Sequence, residues 1–218
     1  MNDTSFNIFG LIAFFAAVGL LPLIVVTTTA FLKIAVVMFI IRNAIGVQQT
    51  PPNIVLYAIT LVLMVYVTMP LVGDIYGRLS TRAVDWRTPQ GIEMAAGEIK
   101  EPVREHLKRF TLPEERQFFH SATARVWPEA ARQDLKEDDI VILLPAFVSS
   151  ELTRAFEIGF LLYLPFLVID LVVANILMAM GMIMVAPTLI SIPLKLFLFV
   201  TVDGWSRLLH GLILSYGN

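Results

Sequence analysis

Cysteine is absent from the 218 residues, which removes disulfides, thiolate metal sites and thiol nucleophiles together. Basic charge is not in excess either. With a net charge of −2, the chain has no polybasic face that would mark nucleic acid or an anionic membrane surface as its main partner. Histidine occurs three times, at His106, His120 and His210, with no HExxH or other zinc spacing. No P-loop, G-x-G-x-x-G or G-x-S-x-G sequence occurs, and no nucleophile and base can be paired. We therefore expect no enzyme, no cofactor and no metal. The segment Met1 to Asn7 contains Asp3 but neither Lys nor Arg, unlike the basic start of a cleaved signal peptide, so the first apolar segment is expected to be retained. Strand-like alternation long enough for a sheet is missing as well.

What the chain does have is apolar length. Apolar residues make up 57% and mean hydropathy is +0.76, beyond the range of ordinary soluble domains. Charge is confined to one block: 24 of the 34 Asp, Glu, Lys and Arg residues lie between Asp74 and Asp139. This divides the protein into an N-terminal hydrophobic helical hairpin (1–73), a polar and mainly helical insert (74–144) and a C-terminal hydrophobic hairpin (145–218). The first apolar stretch, Ile8 to Ile41, holds Lys33 as its one charge and is expected to tilt or kink at Pro22; the second, Ile54 to Val72, is uncharged. Between them Arg42, Gly46, Gln48, Gln49, Pro51 and Pro52 stop one helix and start another, with Thr50 or Asn53 able to cap it.

In the insert, Ile92, Ala95, Ala96, Ile99, Val103 and Leu107 recur at helical spacings, although Gly97 and Pro102 argue against one straight helix. Leu112 and Pro113 open another helix. The fold class is all-α, with membrane-type helical hairpins made from four hydrophobic segments. An even number of spans puts both termini and the insert on one side. Lys33, Arg42 and Lys195 lie near the short loops, which favours loops inside and insert outside.

The run from Ile158 to Leu194 has Asp170 as its only charge and is too long for one crossing of about 20 residues, so it should fold back near its middle. Met178, Met180, Met182 and Met184 fall there, around Gly181 and ahead of Pro187 and Pro193. Thioether side chains are unbranched and easily repacked, which suits either ordinary filling of a membrane helix or a deformable seal lining a pore. Irregular backbone at that depth is tolerated only against protein or a water-filled cavity.

An ionisable group in such a run needs a partner or a task. Asp170 and Lys195 are equidistant from the turn, so a hairpin brings them to one height; they are expected to approach, within the hairpin or between neighbouring copies, as a structural ion pair or a proton-carrying site. Glu151, Arg154 and Glu157 share a helical face, where pairing can be within the helix or between subunits.

Three stretches carry a wider resemblance: FLKIAVVMFIIRNAIGVQQTPPN from Phe31 to Asn53, PAFVSSELTRAFEIGFLLYLPFLVIDLVVANILMAMGMIMVAP from Pro145 to Pro187, and SIPLKLFLFVTVDGW from Ser191 to Trp205. They resemble the FliP/SctR family, the core export-gate subunit of flagellar and virulence-associated type III secretion systems, and the start of the chain looks like the injectisome branch. The resemblance implies a helically staggered ring, a pentamer with two smaller export-apparatus membrane proteins. It would sit within the secretion basal body rings and conduct unfolded secreted polypeptides. It also implies a methionine-rich loop that closes the channel at rest, matching Met178, Met180, Met182 and Met184, with Ile183 interrupting the run. The location implied is the bacterial inner membrane, with the assembled cone displaced to the periplasmic side. The rival reading from the residues alone is a small proton-coupled secondary transporter using Asp170 and Lys195.

Overall fold

The computed structural model describes residues 8–47, 49–82 and 88–217. Its helices are α1 (Ile8–Thr28), α2 (Phe31–Ile45), α3 (Asn53–Thr81), α4 (Pro89–Phe110), α5 (Pro113–Val126), α6 (Ile140–Ala179), α7 (Thr188–Thr201) and α8 (Gly204–Leu214), with a 3-10 turn at Glu129–Ala131. Among the described residues there is no strand, so the fold is all-helical.

Helix α2 is the centre of the molecule. Ile34, Val37, Met38, Ile41, Ala44 and Ile45 are all buried, and α6, α3, α1 and α7 surround them, with α6 the main neighbour. Close approach of α2 and α6 depends on Gly159: a Cβ there would lie 2.4 Å from Ile40 Cδ1 and 3.3 Å from its Cβ. Gly159→Val is therefore expected to push the two helices apart and to destabilise the fold by about 1–3 kcal/mol. A lowered melting temperature of the detergent-solubilised protein measures it; an unchanged one would show that Ile40 moves aside freely.

The first bend is not at Pro22. That residue stays inside α1, and the chain turns by 69° at Thr29 and Ala30 instead. Thr27, Thr28 and Thr29 each donate a hydroxyl back to a carbonyl three or four residues earlier, Leu23, Ile24 and Val25 among them, and so loosen the helix end. Helix α2 ends at Gly46, whose φ of +90° favours glycine and whose missing Cβ leaves room for Ile192. Neither Thr50 nor Asn53 caps α3; Pro52 occupies the N-cap position and offers no side-chain bond. Gln48 lies outside the described residues.

Helix α4 also corrects the sequence expectation. It continues unbroken through Gly97 and Pro102, started by Thr88, whose hydroxyl accepts from Gly91 N–H, with Pro89 in the first turn. Packing of Ala95 and Leu107 into the interior outweighs the local breakers. Helix α5 starts at Pro113 as expected and is tied to α6 where Leu112 N–H donates to Ser150 Oγ at 2.9 Å. The segment before α6 is fastened to α4 and α5 by Asp138, which pairs with Lys108 and Arg116; the Lys108 ammonium holds its carboxyl below the ordinary carboxylate range.

Helices α3 and α6 run past both composition boundaries. The 40 residues of α6 extend ~60 Å at 1.5 Å per residue, twice the ~30 Å of a hydrocarbon core, so its first turns belong with the polar insert. By length and composition α3 and α6 can each cross a membrane, and the bent pairs α1–α2 and α7–α8 raise the count to four if each pair is one span. Outward-facing Val62, Tyr66, Phe160 and Val168 leave large apolar faces on the protomer, as expected of surfaces meant for lipid or other chains.

Candidate functional site

Three groups of residues stand out: the α6–α7 loop, the ion pair below it, and a buried charge cluster at the other end of α6. The loop begins with a complete left-handed C-cap. Met182 N–H donates to Leu177 O at 2.9 Å, Gly181 N–H donates to Met178 O at 3.0 Å, and Gly181 itself has φ +73°. This fixed exit carries Met178 and Met180 on the last turn of the helix and Met182 and Met184 beyond it. All four side chains are exposed, Met184 completely, and Ile183 is 84% exposed. Apolar side chains held out on an ordered turn form a sticky, deformable tip. After Pro187 the chain re-enters as α7.

Beneath the tip, Lys195 Nζ donates to Asp170 Oδ2 at 2.6 Å and to the Ala44 carbonyl at 3.0 Å. The approach expected from their symmetric placement about the turn is thus made within one hairpin. Because Ala44 belongs to α2, one ammonium ties three helices together. Lys195 is buried and Asp170 is half open to an adjoining cleft. Ser191, one turn before Lys195 on the same face of α7, is fully buried, and among the described residues its hydroxyl has no hydrogen-bond partner.

At the far end of α6, Glu151 is completely buried. Its Oε1 lies 3.5 Å from Lys33 Nζ and 3.7 Å from Arg154 Nη1, while its Oε2 accepts a short hydrogen bond from the Tyr216 hydroxyl. The Lys33 ammonium sits 3.5 Å above the Tyr216 ring, and Arg154 donates to the Phe110 carbonyl at 2.8 Å. Helices α2, α4 and α6 and the C-terminal turn meet here. Glu157 is exposed and takes no part in the cluster. Tyr216 is the member that sequence reasoning missed: nothing in its spacing points to a carboxylate 65 residues away.

The loop after α2 is organised by Arg42, which donates to Asn53 Oδ1 and lies over the Phe39 ring, with the Pro51 carbonyl 3.5 Å away. Gln49 and Pro52 are exposed beside it and Pro51 is partly covered. The histidines are separate. His106 packs on the Phe110 and Phe147 rings, where burial pushes its imidazole below the ordinary range and keeps it neutral. Among the described residues no three His, Asp or Glu side chains converge as a metal site would require.

Residues 14–212 match the FliP family. The chain belongs to that family. It is 56% identical over 216 residues to a probable translocation protein of Sinorhizobium fredii, covering 99% of this chain and 97% of the relative. It is 49% identical over 208 residues to the Yop proteins translocation protein R of Yersinia pestis, covering 95% and 96%. It is 42% identical over 209 residues to the virulence protein YscR of Salmonella typhimurium, covering 94% and 95%. These translocation and virulence names set this FliP-family chain on the injectisome branch. The family is a structural part of a secretion apparatus, and the apolar helices fit a membrane subunit of it.

Proposed function

We propose that this chain is the channel-forming gate subunit of a type III secretion export apparatus. Copies of it, five by family resemblance, assemble with two smaller membrane proteins into a staggered ring in the bacterial inner membrane, displaced to its periplasmic side. The ring conducts unfolded polypeptides. The methionine loops converge at its axis and seal the conduit at rest, and a passing chain pushes the thioethers aside. The observation that supports this reading most directly is the ordered left-handed cap at Gly181, which holds four flexible apolar side chains away from the protomer body. A side chain buried in its own protomer could not close a shared opening. Nothing in the sequence binds nucleotide, so the driving energy comes from other components.

Replacing Met178, Met180, Met182 and Met184 together by alanine is expected to raise ion and small-solute leakage several-fold while native mass measurement still finds the ring with its small partners. Unchanged permeability in an assembled complex would reject the seal. A monomer or dimer of the wild-type protein, extracted mildly, would reject the ring itself.

A further inference from the structure

We propose that the cleft between α6, α7 and α8 is a binding site for one anionic phospholipid, with an acyl chain inside it and the phosphate on Arg207. The cleft has a volume of about 590 Å³, within the range of small-molecule sites, and its walls are almost wholly carbon, including Ile158, Leu162, Phe166, Leu198 and Leu212. Water entering it would find few partners, so the slot favours an apolar occupant. Its third wall, α8 with its C-cap, presents Arg207, Gly211 and Ser215 at four-residue spacing along one stripe. Each member has a distinct part. Gly211 leaves the cleft open, since a Cβ there meets nothing within 4 Å. The Ser215 hydroxyl is already satisfied by the Leu212 carbonyl at 2.7 Å.

Arg207 stands at the rim, exposed, and among the described residues its guanidinium has neither ion pair nor hydrogen bond. Asp203, one turn earlier, sits in a left-handed conformation at the helix start and makes no ion pair with it. A single uncompensated guanidinium over a carbon-lined slot is complementary to a phosphodiester carrying apolar tails, and a planar fork suits phosphate. Trp205, two residues away, packs edge-on to Phe199 at 5.2 Å and closes that end of the slot's wall. A built slot with one cation is a site, distinct from the polybasic face that the sequence lacks.

The test uses the full-length complex in nanodiscs of equal phosphatidylglycerol and phosphatidylcholine, extracted with mild detergent, with retained lipid counted by mass spectrometry. Wild type is expected to keep about one phosphatidylglycerol per protomer. Arg207→Glu is expected to lower that retention about tenfold. Gly211→Leu is expected to exclude both lipids while helix content and assembly stay intact, because leucine favours the helix and fills only the cleft. The proposal is overturned by retention that ignores both substitutions, by equal retention of the two lipids, or by a photo-crosslinker at Val202 capturing another protein chain instead of lipid. Secretion and leakage are not the readout, so the outcome is independent of the gating reading.

Discussion

Replacing Glu151 by alanine is expected to destabilise the protein by about 3–5 kcal/mol, the range for removing one partner of a fully buried ion pair. The carboxylate accepts from Tyr216 and neutralises Lys33, and both Lys33 and Glu151 are almost inaccessible to water. Without it, the Lys33 ammonium is left with the face of the Tyr216 ring alone, and an unpaired buried charge has no inexpensive escape. The effect should appear as loss of assembled complex and a much lower melting temperature of what remains. Lys33→Met combined with Glu151→Leu separates charge from shape: an apolar pair of similar volume is expected to recover most of the loss, since burying two charges is itself costly. Tyr216→Phe, which removes only the hydroxyl donor, should cost about 1–3 kcal/mol. If Glu151→Ala were as stable as wild type, the cluster would be a bystander to folding.

The contrast between this cluster and the loop explains what a reader of the sequence could see. Helices, the hairpin and the position of its turn were legible because they are local: apolar length, a glycine, and two prolines fix where the chain must reverse. The Asp170–Lys195 pairing was legible for the same reason, since two charges equidistant from a turn must meet once the turn forms. Lys33, Glu151 and Tyr216 share no such local rule. They meet because α2 is buried as the central helix, and only tertiary packing says which charge faces which. The bend at Thr29 and Ala30 was hidden by Pro22, a stronger local signal that the surrounding helix tolerates, whereas three consecutive threonine hydroxyls compete for carbonyls where the chain does turn. The Gly97 and Pro102 breakers in α4 failed similarly, overridden by the burial of Ala95 and Leu107.

The second large effect is expected at the base of the loop. Asp170→Ala leaves Lys195 buried with the Ala44 carbonyl as its remaining partner, which should destabilise the hairpin by about 1–3 kcal/mol; the half-open carboxylate places this below the Glu151 effect. Because Lys195 ties α7 to both α6 and α2, the tip bearing the methionines should loosen before the rest of the fold does. Faster hydrogen exchange at residues 178–187 than in α2 would show that order. The double replacement Asp170→Asn with Lys195→Met decides between a strut and a proton carrier. An amide and a thioether keep the volume and remove both titrations, so a structural pair predicts continued secretion with a loop loosened much as in Asp170→Ala. A proton-coupled transporter predicts complete loss of function with the fold intact. Charge exchange is the poorer experiment, since an aspartate at position 195 would face the Ala44 carbonyl with an acceptor against an acceptor, and failure there would follow under either reading.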